Sequence, residues 1–148
     1  MNPAGYRLID EQSPPLYSGR ALRICTFFFS PVGLTMALVN AGRSGRTDLR
    51  PKILLAFLIY TLLYVAVSYV RIRLFPPESQ RILRVLNLAL GYALGLYYEN
   101  LFAPVLEAHL SAGGRLASAW LPALIILTLV VIALGVSLWI GGTPIASR

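Results

Sequence analysis

The sequence predicts an all-α fold: an integral membrane helical bundle of four transmembrane helices. Three observations predict it. Four apolar runs, 24–41, 53–70, 82–102 and 119–140, fill more than half of the 148 residues and carry almost no charge. Each approaches the ~20 helical residues needed to cross ~30 Å of hydrocarbon. Hydrophobic residues make up 57% of the chain and charged residues 13%, against ~45–50% and ~25% in ordinary soluble domains. The remaining polar stretches are too short to form a second, soluble domain.

Residues 1–23 read as an irregular N-terminal arm, because Pro3, Pro14, Pro15, Gly5 and Gly19 oppose a long helix. Ser18 is the expected N-cap of a helix that begins near Gly19. The arm carries Asp10 and Glu11 and does not read as a cleavable signal peptide. The first run, 24–41, holds Ser30-Pro31-Val32-Gly33 near its middle. Proline removes a helical hydrogen bond and disfavours helix at the residue before it. Two outcomes follow: a kinked crossing helix, or a re-entrant hairpin buried by its neighbours. Ser30, Gly33, Ala37, Asn40 and Ala41 share one small-residue face suited to close packing.

The second run, 53–70, follows Pro51-Lys52 and carries a stripe of Tyr60, Tyr64, Ser68 and Arg71. The third, 82–102, is the most patterned. Arg84, Asn87, Gly91, Gly95 and Tyr98 lie on one face, with Leu86, Ala89, Leu90, Ala93 and Leu96 on the other. Gly91 and Gly95 form a literal GxxxG, which lets two backbones approach closely. Residues 104–112 read as a separate short surface helix ended by Gly113-Gly114. The fourth run, 119–140, is bracketed by Trp120 and Trp139, which are ~28 Å apart along a helix. Indole rings favour the two headgroup levels. Residues 141–148 form a short C-terminal tail.

Thirteen basic against six acidic residues give a net charge of +7. The basic residues flank the apolar runs, where anionic headgroups attract them. No basic face interleaved with aromatics points to nucleic acid. With four crossings, one side carries Arg7, Arg20, Arg23, Arg71, Arg73, Arg81, Arg84 and Arg148, and the other Arg43, Arg46, Arg50, Lys52 and Arg115. With a re-entrant first run, the arm and the first and third loops share a side, and the balance is again eight to five. Charge alone does not choose. Four crossings with both termini cytoplasmic need no unusual backbone burial and are the expectation.

Chemistry-bearing residues are few. Glu99 is the lone acid inside an apolar run, so it is either a paired interfacial group or an ion or proton site. Arg115 and His109 are its expected partners. Glu107 and His109, two apart, do not face each other on a helix and read as a solvated surface turn. One histidine and one cysteine, Cys25, leave no basis for a metal or haem site or an intrachain disulfide. The loop from Gly42 to Thr47 lacks the spacing of a phosphate-binding GxxxxGK[ST]. Asn40 and Asn87, costly to leave unpaired in hydrocarbon, are each expected to bond across helices.

Leu16-Tyr17-Ser18, Thr26-Phe27-Phe28, Pro31, Gly33, Asn40 and Gly45, followed by His109, Gly113-Gly114, Ser118 and Trp120, form a pattern. It resembles a loose group of small polytopic bacterial inner-membrane proteins of unassigned function. Ser30 stands where that group usually has glycine, and a second glycine after Gly33 is missing. The resemblance covers about a third of the chain. It implies a bacterial plasma-membrane protein and brings no catalytic residue.

The expected function is therefore a non-enzymatic accessory or structural subunit that packs in or against a larger membrane complex, or on a second copy of itself. No cofactor is expected. Helix-packing candidates are Gly33, Ala37, Asn87, Gly91, Gly95 and Ser137. Headgroup contacts are expected from Arg43, Arg46, Lys52, Arg71, Arg73, Trp120 and Trp139. The alternative is a small proton, ion or solute transporter or channel that uses Glu99 and the broken first helix.

Overall fold

The computed structural model describes residues 14–74 and 80–142. It contains α1 (Gly19–Phe28), α2 (Ser30–Arg43), a 3₁₀ turn at Thr47–Leu49, α3 (Arg50–Leu74), α4 (Gln80–Ser111) and α5 (Trp120–Gly142). Among the described residues the lone β feature is an isolated parallel bridge between Leu16 and Leu116. The all-α expectation holds. One helix among the described residues, Thr47–Leu74, is long and apolar enough to cross a membrane.

The first run folds differently from a single crossing rod. It breaks at Phe29, whose backbone is extended at φ −152° and ψ 91°. Ser30 and Pro31 then open α2, where the missing proline N–H has no helical partner to lose. The two helices fold back on each other. Gly33 lies against Thr26, and a Cβ on Gly33 would collide with the Thr26 side chain and Cα. At the far end the Tyr17 N–H donates to Asn40 Oδ1 (2.8 Å), and Asn40 Nδ2 donates to the Tyr17 carbonyl (2.9 Å). The start of α1 and the end of α2 therefore sit together. With 10 and 14 residues, the arms are ~15 and ~21 Å long. Neither spans ~30 Å, so of the two outcomes left open by Pro31 the hairpin is the observed one.

Helix α4 is the spine. At 32 residues it is ~48 Å long, well beyond the thickness of a bilayer core. The separate short helix expected at 104–112 does not exist; α4 continues through Pro104 to Ser111. Pro104 and Asn100, the residue whose carbonyl Pro104 cannot engage, are both exposed. The orphaned carbonyl thus lies on the open side of the helix, where a proline costs least. Gly113, at φ +81°, then ends the helix in the left-handed conformation that glycine adopts freely.

Helix α1 crosses α4 on the GxxxG face. A Cβ on Gly95 would stand 2.8 Å from the Arg23 carbonyl oxygen, and one on Gly91 3.4 Å from that of Phe27. Helix α3 runs antiparallel beside α4, held near one end by Tyr98 Oη donating to the Ile53 carbonyl (3.2 Å) and near the other by Asn87 Nδ2 donating to Ser68 Oγ (3.0 Å). The core gathers at the Ile53 end: Leu16, Leu22, Leu49, Ile53, Tyr98, Phe102, Val105 and Leu106 are all buried. Helix α5 makes its few contacts with α1; Pro122 is buried and Ile126 rests on the core, while most of its other described side chains are exposed.

Candidate functional site

Two polar assemblies and one groove stand out from the apolar packing. The first is a knot at the Ile53 end. Residues 14–18 run extended, and the Leu16 N–H donates to the Arg115 carbonyl (3.2 Å) while the Ala117 N–H donates to that of Leu16 (2.7 Å). Arg43 donates to the Pro15 carbonyl (2.7 Å), and its guanidinium lies 5.8 Å from the Tyr17 ring centroid. His109, expected on a solvated turn, is instead 4% exposed. Its ring packs against Gly114, and Nε2 lies 3.0 Å from the Arg115 carbonyl. His109 is buried although the turn after it is exposed, because the chain folds back over its ring at Gly114 and Arg115, which periodicity along a helix does not reveal.

The second assembly sits where α1 crosses α4. Glu99 pairs with Arg23 at 3.0 Å, and the two side chains are about a quarter to a third exposed. The partner is neither Arg115 nor His109. Arg23 reaches Glu99 because Gly95 brings the α1 backbone close, and Gly19 of α1 lies against the Glu99 side chain. The Arg23 guanidinium also stands 6.0 Å from the Tyr92 ring centroid. The pair is near the level of Ile53, since Tyr98, adjacent in α4, bonds to that residue. A paired carboxylate near the edge of the apolar zone needs no ion to neutralise it.

The groove lies between α3 and α4. It has a volume of ≈ 370 Å³, and its walls are almost wholly apolar apart from Lys52 at one end. Among the described residues no group of three or more His, Cys, Asp or Glu side chains comes together to hold a metal.

The packing candidates divide. Gly33 and Ala37 are buried inside the hairpin, and Gly91 and Gly95 under α1. Asn87 bonds across to α3 as expected, though its Oδ1 and Arg71 Nε are buried without a partner among the described residues. Asn40 bonds to an extended segment rather than to another helix. Cys25 is a buried free thiol. Of the basic candidates, Arg46 holds Asp48 through two bonds of 2.9 Å, Lys52 and Arg73 are exposed, and Arg71 is half-buried. Trp120 is 76% exposed at the start of α5. The side chains of Ser137 and Trp139 lie outside those described.

Sequence reasoning missed three participants: Arg23, Tyr17 and the carbonyl of Arg115. Arg23 carried a usable signal, because a cation bordering the first run needs a counter-charge once that run packs on the Glu99 helix. The Arg115 carbonyl and the Tyr17 groups that hold Asn40 are backbone atoms, which side-chain chemistry does not announce. The chain matches no protein-family model, no curated protein and no solved structure.

Proposed function

We propose that the chain is a small non-enzymatic integral membrane protein that serves as a packing subunit, associating with a larger membrane complex or with its own copies. The observation that carries this reading is the bare apolar surface of α3 and α5. Leu55, Leu58, Leu62 and Val65 on α3, and Leu121, Leu127 and Val131 on α5, are all more than half exposed. Water does not tolerate so much contiguous apolar surface, whereas lipid or a partner helix does.

In this reading α3, the apolar part of α4 and α5 cross the membrane, and the α1–α2 hairpin enters and leaves on one side. The contact of Leu16 with the Arg115–Ala117 segment supports it by tying the N-terminal segment to the third loop. Arg7, Arg20, Arg23, Arg43, Arg46, Arg50, Lys52 and Arg115 then share a side, against Arg71, Arg73, Arg81, Arg84 and Arg148. The positive-inside bias places the first group in the cytoplasm, and the C-terminus on the other face of a bacterial plasma membrane. Anionic headgroups are the partners of the exposed cations.

Native mass spectrometry of the chain purified in mild detergent from its own membrane tests the proposal. A stoichiometric companion or a second copy is expected; a lone monomer refutes the subunit role. A transport role through Glu99 has less support, because that carboxylate is paired with Arg23 and does not line the apolar groove between α3 and α4.

A further inference from the structure

We infer that the groove between α3 and α4 is a binding site for one acyl chain of an anionic phospholipid, with Lys52 holding the headgroup phosphate; the inference rests on the membrane reading above. Three features of the groove argue for this occupant. The first is polarity along its length. Lys52 lines the groove at the start of α3, and Leu63 and Leu90 line it farther along the helix pair. Lys52 to Leu63 is ~16 Å of helix, close to the ~15 Å of hydrocarbon in one leaflet. A phospholipid has the same order, charge at the surface and hydrocarbon beneath it.

The second feature is the floor. Ala56 of α3 and Ala93 of α4 both line the groove, and their short side chains take up little of its ≈ 370 Å³. The α3–α4 pair is held together by Tyr98 with Ile53 and by Asn87 with Ser68. The opening between those two bonds is thus a fixed feature of the hairpin. Its volume falls in the ~300–1,000 Å³ range of small-molecule sites.

The third feature is charge. The two salt bridges among the described residues join Arg23 to Glu99 and Arg46 to Asp48; Lys52 is in neither, and its charge acts on the Asp48 carboxylate only from beyond salt-bridge distance. An exposed ammonium lining an otherwise apolar slot favours an anionic headgroup over a zwitterionic one. Tyr97 lines the same groove and adds an amphipathic ring suited to the interface.

The test uses the full chain reconstituted in vesicles of equal phosphatidylglycerol and phosphatidylcholine, washed with alkaline carbonate, then released in mild detergent for native mass spectrometry. One retained phosphatidylglycerol per chain is expected. Lys52→Gln should lower the preference for phosphatidylglycerol about fivefold, the factor one near-surface cation supplies. Ala93→Phe, at an exposed position, should abolish retention while the chain stays in the membrane. Retention of no lipid, or of both lipids equally, by a carbonate-resistant wild type overturns the groove assignment alone. So does an Ala93→Phe variant that changes oligomeric state instead, because a protein helix would then be the occupant. Release of the wild type by carbonate overturns the membrane reading, and this inference with it.

Discussion

The two ends of the α3–α4 hairpin are built for different surroundings. At the Ile53 end, Leu16, Leu22, Leu49, Tyr98, Phe102 and Val105 interlock and are nearly all out of contact with the exterior. Polar groups there are matched one to one: Asn40 with both backbone groups of Tyr17, Arg43 with Pro15, and His109 with Arg115. Towards Leu74 the packing thins. Leu62, Tyr69 and Ile72 are each more than 60% exposed, and α3 buries only Ile53. One end thus carries a core of the kind soluble proteins make, and the other leaves its apolar faces to the medium. Substitutions at the first end should cost stability, and those at the second should mainly alter association.

The largest effect is expected at the hairpin's closest approach. Gly33→Ala places a methyl group into Thr26, including its Cα, which cannot rotate away. Overpacking of this kind costs ~1–3 kcal/mol, and backbone contact puts Gly33 at the upper end. The melting temperature in detergent should fall by about 10 °C. Gly95→Ala, facing the Arg23 backbone at 2.8 Å, should cost about 2 kcal/mol. An unchanged melting curve for Gly33→Ala would mean that α1 and α2 do not fold together.

Next comes the clamp. Asn40→Ala removes two hydrogen bonds and leaves the Tyr17 N–H and carbonyl without partners, a cost of about 2–3 kcal/mol. Unlike a core cavity, this change should act locally. Amide exchange should rise across residues 16–18 and at Ala117, whose N–H bonds to the Leu16 carbonyl, while α3 stays protected. Loss of protection along α3 as well would erase the distinction between the two ends.

How much of this was legible in the sequence follows the same division. Apolar runs and their helices were readable because hydrophobic length and composition are one-dimensional signals, and Ser18 capped α1 where expected, accepting from the Ala21 N–H (3.1 Å). The glycine face of α4 was readable from its spacing alone. What it packs on was not, since α1 reaches that face only because the chain turns back at Phe29. Pro31 announced a break but not its direction; the hairpin is decided by Gly33 against Thr26, a contact between residues on two different helices. His109 and Asn40 were misjudged in partner for a related reason. Both are satisfied by non-helical segments with no periodicity, Asn40 by Tyr17 and His109 by Arg115, through backbone atoms that every residue carries. Asn87 was anticipated because its partner, Ser68, lies on a neighbouring helix of the same hairpin.

A smaller effect is expected at the ion pair. Glu99→Gln keeps the shape and removes the charge, leaving Arg23 beside Tyr92 without its carboxylate. For a pair about a quarter to a third exposed, the cost should be about 1 kcal/mol, between surface and buried pairs. A double-mutant cycle with Arg23→Gln measures the coupling directly. A coupling near zero would place Glu99 outside the α1–α4 packing, and would reopen the ion role that its sequence position suggested.

The smallest effect is the most discriminating. Gly91 and Gly95 form one GxxxG, and a motif treated as a unit predicts equal sensitivity at both positions. The geometry does not. A Cβ at Gly91 would meet the Phe27 carbonyl at 3.4 Å and the Phe27 Cα at 3.8 Å, ordinary or nearly ordinary contact distances. The α1 and α4 axes therefore separate as they run from Arg23 towards Phe27. Gly91→Ala should change stability by less than about 0.5 kcal/mol, helped by alanine's better helix propensity, whereas Gly95→Ala should show its full cost of about 2 kcal/mol. Thermal unfolding of the two variants in one detergent decides it. Equal losses would mean that α1 lies parallel on α4, and that its approach is as close at the open end of the hairpin as at the packed one.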